Sequence, residues 1–476
     1  MNADQKTELS RTETKAIVKL QRKALLDSVA EARRFADPRS TMPILAHVLL
    51  RLDGGALTVA ATDLNLTYVD RLAVTVEGDA KLDAAFDAKK LHEVLKAQSA
   101  ADIAIEACEL RVVTETTLAK DRKCAKCGNV ERNGAPPIAP NKCAQLKKNS
   151  KETCGGELRA KYVEESVTSS CTLVCGRGKY KLNTRSGADF PRLPDVSRAL
   201  WSRLPGATLR DLIDGTFFSI SQDATRSHLN GALFEVRGDK LRMVSTDGHR
   251  LSLIERSAGE FKLEGLSGEP GAPIVMRSII VPRDGVAEIM KLYKRDCDLA
   301  VCKSSLFVRA AGSTAVYCVK LTEAQFPPYE QVIPRDSLRY AMVKRNELEE
   351  ALKRLMIMAS DKTHDVKLCF SEGEGRDVQL TMSTDDPDKG SASESLDCAG
   401  EGLRVETTPK RGKNEAPHER TFTNFSIRVN GKYLKEALEQ VDGVDVWIGM
   451  NDELDPLLIK ASAGAVDSFT VMPMRL

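Results

Sequence analysis

A chain of 476 residues, 42% hydrophobic and 29% charged, has the balance of a globular protein of about two to four domains and excludes a disordered or fibrous one. A formal net charge of +2 excludes a strongly basic, tight non-specific nucleic-acid binder, though not one that holds its partner by enclosure. No apolar run reaches the roughly 18 residues that span a bilayer, and the first residues are polar with no apolar signal region, so a cytoplasmic location is expected.

In chain order, residues 1–14 form an extension expected to be disordered. A helix is predicted over 22–35, where apolar residues recur three and four positions apart. The segment 57–63, Leu-Thr-Val-Ala-Ala-Thr-Asp, alternates as a strand that buries Leu57 and Val59, and a second helix is predicted over 88–96. The same succession returns as helix 208–218, strand 241–247 (Leu-Arg-Met-Val-Ser-Thr-Asp) and helix 285–293. It returns again, more loosely, as helix 346–358, strand 380–386 (Leu-Thr-Met-Ser-Thr-Asp-Asp) and helix 432–439. Each unit is expected to close on a strand running into a proline, at Phe190-Pro191, Phe326-Pro327 and Met472-Pro473. Three copies of a two-helix, many-stranded unit predict an α+β fold of three tandem domains, over 15–198, 199–337 and 338–476.

Two stretches break the repeat. The first, about 114–168, carries Cys124-Ala-Lys-Cys127-Gly, Cys143 and Cys154-Gly-Gly. A Cys-x-x-Cys-Gly turn aims two thiolates at one ion, and two later cysteines can complete a closed, structural Cys₄ zinc site at Cys124, Cys127, Cys143 and Cys154. Free thiols are the alternative, and Cys171 or Cys175 are rival ligands. The flanking alternation at 109–114 and 157–163 predicts a β-ribbon whose small tip needs the metal to be stable. Its lysines and arginines make the tip basic. The second stretch, about 400–420, is rich in Lys, Arg, Glu, Pro and Gly and is expected to be a flexible loop. The single cysteines Cys297, Cys302, Cys318, Cys369 and Cys398 are expected to be small buried hydrophobes.

Ser245, Asp247 and His249 invite a hydrolase reading. They lie too close along one strand and turn to converge as a triad, and aspartates recur at Asp63 and Asp386 without the histidine. The aspartates are therefore expected to cap turns, and no catalytic residue is assigned.

These residues carry a family resemblance. Arg39-Ser-Thr-Met-Pro-Ile-Leu, Ser221-Gln-Asp-Ala-Thr-Arg, Val244-Ser-Thr-Asp-Gly-His-Arg-Leu, Phe326-Pro-Pro-Tyr-Glu-Gln-Val-Ile-Pro and the terminal Val471-Met-Pro-Met-Arg-Leu fall in order along the chain. Together they resemble the β subunit of bacterial DNA polymerase III, the sliding clamp. The resemblance implies three DNA-clamp (processivity-fold) domains per chain and a ring-forming homodimer that encircles duplex DNA without catalysing a reaction. It implies tethering of the replicative polymerase, and contact with the clamp loader and other clamp-binding-motif proteins. Their groove would be lined by Leu229, Thr246, Gly248, His249, Arg250, Leu251, Pro327, Val332, Asn430, Tyr433, Met472, Pro473, Met474 and Arg475. DNA-facing basic residues would be Lys23, Arg39, Lys89, Lys90, Arg210, Arg226, Lys291, Lys294, Lys353 and Lys432. The subunit contact would join Tyr180 and Leu182 of one chain to Ile357 and Met358 of the other.

Overall fold

The computed structural model describes every residue except 1–8, 11–16, 78–81, 114–120, 125–129, 133–157, 161–165, 197–198, 263, 267–272, 276–277, 303, 336, 373–377, 402–403, 407–419, 423–424 and 475–476. The chain divides into two compact units, Met1–Leu193 and Pro194–Leu476.

Six α-helices occur among the described residues, two in each predicted repeat: α1 (Arg22–Ala32), α2 (Ala88–Ala97), α3 (Gly206–Phe217), α4 (Arg283–Ile289), α5 (Arg345–Leu355) and α6 (Gly431–Leu438). They pack as α1 with α2, α3 with α4 and α5 with α6. Each buries one stripe, as Leu25, Val29 and Ala32 do in α1 and Leu348, Ala351, Leu352 and Leu355 in α5. Side-chain caps start two of them. Asp87 accepts from the Lys90 amide at 2.8 Å, and Asn430 accepts from the amides of Lys432 and Tyr433 at 3.0 and 3.2 Å.

In the first unit, among the described residues, nine antiparallel strands follow one another in one sheet, ordered Leu66–Ala73, Ala56–Thr62, His47–Asp53, Asp83–Asp87, Gly178–Ser186, Ser166–Cys175, Asp102–Val113, Ile17–Gln21 and Thr75–Glu77, and the short strand Leu9–Ser10 joins it beside Asp102–Val113. In the second unit one sheet of twelve strands passes through both later repeats. The join is the antiparallel pair Arg250–Ser257 and Ser468–Val471. The burial predicted in the three motif strands holds, since Leu57, Val59, Leu241, Met243, Leu380 and Met382 are all buried, but Thr58 and Ala60 are buried as well, and only Val378–Asp386 alternates cleanly.

The packing of α3 leaves no room at its first residue. A Cβ added to Gly206 would lie 2.4 Å from the Arg295 carbonyl oxygen and 2.6 Å from that of Tyr293. Both obstacles are backbone, so Gly206→Ala is expected to destabilise the fold by about 1–3 kcal/mol, the usual cost of overpacking. A urea melt checks this, and an unchanged midpoint would refute it.

The structure departs from expectation in four places. Leu9–Ser10, inside the extension expected to be disordered, is a short strand paired with Val112 and Arg111. The stem of the first insertion is Asp102–Val113 against Ser166–Cys175, with Val113 opposite Ser166. The alternating segment assigned to that stem instead supplies Leu158–Ala160, the third strand of a small sheet with Asp121–Cys124 and Val130–Arg132. Local alternation identifies a strand but not its partner. The stretch expected as a flexible loop carries the antiparallel pair Arg404–Glu406 and Arg420–Phe422. Phe190 follows a 3₁₀ turn, Gly187–Asp189, and Phe326 follows a loop, so only Met472 directly continues a strand.

Three of the five isolated cysteines are buried as expected, and two only in part. Cys297, Cys318 and Cys398 are buried and Cys302 and Cys369 half-buried. Burial pushes the Cys297 and Cys318 thiols up to about 11 and that of Cys398 to about 12, which leaves them unreactive near neutral pH. Cys171 and Cys175, the rival zinc ligands, are buried within the Ser166–Cys175 strand, and the Cys171 thiol donates to the Glu106 carbonyl at 3.2 Å. That environment is a sheet interior. Among the described residues no helix is long and apolar enough to cross a membrane.

Candidate functional site

The strand join in the second unit creates the candidate site. Arg250 lies opposite Val471 and Leu251 opposite Thr470. The ladder continues beyond the strand, for the Met472 amide donates to the His249 carbonyl at 2.9 Å. The Met474 amide donates to the Arg428 carbonyl at 2.8 Å, and Pro473 forms a bridge with Val429. The C-terminal segment is thus stitched between the His249 turn and the strand Phe425–Asn430 that leads into α6.

The turn that presents His249 is built by Asp247. Its Oδ1 accepts from the amides of His249 and Arg250 at 2.9 and 3.1 Å, while Gly248 adopts φ +91°. The first repeat makes the same turn, where Asp63 Oδ1 accepts from the amides of Asn65 and Leu66 at 2.8 and 2.6 Å. In the third repeat Asp386 Oδ1 accepts from the amides of Asp388 and Lys389 at 2.9 and 3.0 Å. The Asp388 amide, seconded by that of Lys389, holds the Asp386 carboxyl below its ordinary range. The recurring aspartate is a turn cap, as its recurrence implied. Ser245 is fully buried, donates to the Thr216 carbonyl at 2.6 Å and lies 2.5 Å from Ser219 Oγ. It faces away from any nucleophile's task.

Arg250 is the polar centre of the site. Its Nε donates to Asp247 Oδ2 at 3.0 Å, one terminal nitrogen pairs with Glu436 of α6, and the other donates to the Phe218 carbonyl at 2.6 Å. Its guanidinium lies 4.4 Å from the centre of the Tyr433 ring and 5.1 Å from that of Phe218. His249 stacks on Tyr433 with ring centroids 6.4 Å apart. Burial, and then the nearby Asp247 carboxylate, push the Tyr433 hydroxyl above its ordinary pKa, so it stays a neutral donor. Around this centre lie Thr246, whose hydroxyl donates to the Arg250 carbonyl at 2.6 Å, and Leu251, which packs into a core cluster with Tyr329 and Phe326. Val332, on the segment that Phe326 begins, is 39% exposed. The Asn430 side chain donates to the Thr363 carbonyl at 3.0 Å. The Leu229 amide donates to the Arg226 carbonyl at 2.8 Å, and Leu229 is buried. Arg475 lies outside the described residues.

Three residues of this region carry no sequence motif that would have singled them out. Glu436 is legible only through its pairing with Arg250. Thr470 emerges from the register opposite Leu251. Leu454 is 63% exposed in the turn before Leu457, which pairs with Val471 at the same end of the sheet as the C-terminal segment.

Of the basic residues, Lys23, Lys89, Lys90, Arg210, Lys353 and Lys432 lie on the helices and Lys291 and Lys294 just beyond α4. All are exposed. Lys291 pairs with Glu288 at 2.6 Å, while Lys23, Lys89, Lys90, Lys294 and Lys432 have no ion pair among the described residues. Arg39 and Arg226 sit instead on turns. Arg226 pairs with Asp223 at 3.5 Å and lies beside Gly248, at the rim of the site just described. Among the described residues no three metal-ligating side chains cluster. Cys127, Cys143, Cys154 and the side chain of Cys124 lie outside them.

Comparison with known proteins shows the family and the fold. Family models of the DNA polymerase III beta subunit match in order: its N-terminal domain over residues 17–122, its central domain over 203–328 and its C-terminal domain over 330–408. Together they span well over half the chain. The beta sliding clamp of Escherichia coli K12 is 26% identical over 96% of this chain and 99% of its own length, and that of Pseudomonas aeruginosa 24% identical over the same shares. Among solved structures, the Pseudomonas aeruginosa beta subunit has a TM-score of 0.68 at 23% identity, covering 97% of this chain and all of that one. The Bacillus subtilis sliding clamp also has a TM-score of 0.68, at 17% identity over the same shares. These likenesses show the same three-domain α+β fold. The chain belongs to the DNA polymerase III beta subunit family, the non-catalytic sliding clamps that make DNA synthesis processive.

Proposed function

We propose that two copies of this chain close head to tail around duplex DNA and that the groove at the His249 turn takes short peptide segments of the replicative polymerase, the clamp loader and other partners. The observation that carries the reading is the ordered match of all three family domains. The exposed lysines on the helices support it, because they offer phosphate contacts without base readout, which a sliding protein requires. The groove's chemistry supports peptide recognition. Methionines and leucines give an adaptable apolar trough, and Arg250, Asn430 and Tyr433 fix polar groups at its edge. Enclosure is tested by loading the chain on nicked circular DNA with the cell's clamp loader. It is expected to remain on the circle through a high-salt wash and to leave when the circle is cut. Release from the intact circle at the rate seen after cutting would rule out enclosure.

Two open strand edges support the dimer. The strand Gly178–Ser186 pairs on one side with Ser169–Cys175, and on the other only at Thr184–Ser186. The strand Gly390–Glu401 pairs with Val378–Asp386, and on its other side only at Ala399–Glu401. The remaining edges have no strand partner among the described residues. An exposed edge of this kind is a template for another chain. Exposed Lys179 and Lys181 on the first would meet Asp397 and half-buried Glu394 on the second. Tyr180 and Leu182 lie on the first edge. Met358 lies against Gly390 at the start of the second, and Ile357 beside it is 71% exposed.

The first insertion is proposed to hold one structural zinc ion on Cys124, Cys127, Cys143 and Cys154. The Cys-x-x-Cys-Gly spacing supports this. So does the small sheet, in which the strands before and after Cys127 pair antiparallel and Leu158, a few residues beyond Cys154, lies opposite Cys124. Full-length protein is expected to carry one zinc per chain by atomic absorption, and Cys127→Ser to lose it without changing the mass of the assembly. Four freely reactive thiols in metal-free protein of normal stability would refute the site. The basic tip would contact DNA or an acidic partner beside the ring.

A further inference from the structure

Four buried side-chain polar atoms have no hydrogen-bond partner among the described residues: Ser337 Oγ, Asp365 Oδ1, Trp447 Nε1 and Thr470 Oγ1. Such atoms are rare in folded proteins, and each calls for an explanation. Three of the four share one face of the twelve-stranded sheet. Directly opposed residues of an antiparallel ladder present their side chains on the same side. The ladder runs Tyr340, Gly449, Leu458, Thr470, Leu251 and Thr246. Trp447, two residues from Gly449, shares that face. An added Cβ on Gly449 would meet Ser337 Oγ at 2.3 Å and the Trp447 ring at 2.4 Å, so both groups overlie the same spot. The face is the floor of the groove, since Leu251 and Thr246 belong to it.

Thr470 sits at the centre of this floor. It is 1% exposed and lies between Leu251 and Leu458, which are 3% and 2% exposed. Its two ladder neighbours are therefore apolar, and its hydroxyl has no partner among the described residues. A purely hydrocarbon ligand would leave that hydroxyl buried without a partner, whereas a ligand with a polar tip would supply one. We infer that the groove selects, for the residue filling its floor, a side chain with an apolar body and a hydrogen-bonding tip, tyrosine rather than phenylalanine, and that the Thr470 hydroxyl is the selecting group. This deepens the groove reading above and rests on it. The half-buried Met472, two residues on, lies on the same side of the strand, and its unbranched side chain changes rotamer at little cost.

The test uses full-length protein and a labelled segment of the replicative polymerase from the same cell, synthesised with tyrosine or phenylalanine at its principal apolar anchor. Fluorescence anisotropy is expected to show the tyrosine peptide bound about tenfold more tightly, the worth of one added hydrogen bond. Thr470→Ser is expected to keep that ratio and Thr470→Val to bring it to about one or invert it, with thermal melts confirming that both variants fold. A merely structural threonine would alter both affinities together and leave the ratio alone. Equal affinity of the two peptides for the unaltered chain, or an unchanged ratio in Thr470→Val, overturns the inference while the groove stands. Binding of neither peptide overturns the groove reading and this inference together.

Discussion

A chain ending at Met472 is expected to bind partner peptides about 100-fold more weakly, with the mass of the assembly unchanged. Removing residues 473–476 takes away the Pro473 bridge to Val429 and the hydrogen bond from the Met474 amide to Arg428. It also removes the Met474 side chain, and burying one methionine against a ligand contributes about 1.5–3 kcal/mol, which at its upper end approaches two orders of magnitude in affinity. The fold should survive. The strand Ser468–Val471 keeps its pairing with Arg250–Ser257 on one side and Leu457–Lys460 on the other, and its core residue Phe469 is 2% exposed. Titration of a labelled polymerase segment, alongside light scattering, measures both quantities. Affinity within about threefold of the full-length chain would show that peptides dock elsewhere. Met474→Ala, which keeps the backbone bonds, separates the side chain's share from that of the stitching.

The parts of this molecule that were legible in the sequence are those set by local rules. Helix stripes and strand alternation depend on residues a few positions apart, so the six helices were placed to within three residues at nearly every end. The turn aspartates were legible because their ligands are the next two or three amides. What escaped depends on pairing across long stretches of chain. The Leu158–Ala160 strand alternates like a stem strand, yet its partner is Asp121–Cys124 and not Asp102–Val113. Leu9–Ser10 pairs with Val112 and Arg111, about a hundred residues on. At the site, Arg250 and Tyr433 were found through resemblance, but Glu436 was not, because an acidic residue on an exposed helix turn looks like any other solvated charge. Thr470 gives no signal at all in isolation. Its meaning comes from the register that places it opposite Leu251 and from the absence, among the described residues, of a hydrogen-bond partner for its hydroxyl, and neither is a property of sequence spacing.

Ile357→Glu is expected to break the assembly into 52.1 kDa chains under conditions where the unaltered protein is a dimer of twice that mass. The residue lies just past the end of α5 and exposes 71% of its surface, so the substitution should cost the isolated chain almost nothing. In the proposed ring it stands next to Met358, which packs at the start of the open Gly390–Glu401 edge. Desolvating an unpaired carboxylate there would cost about 2 kcal/mol or more per contact. A head-to-tail dimer that closes on itself has two identical contacts, and both carry the substitution. The penalties add if the contacts are independent, so a roughly 30-fold weakening of each becomes about a thousandfold in the dimer constant. An open dimer held by one contact would show only the single factor. Sedimentation equilibrium over a concentration series therefore does more than detect dissociation, since the size of the shift distinguishes a closed ring from an open pair. A variant that remains dimeric at nanomolar concentration would place the subunit contact away from Ile357.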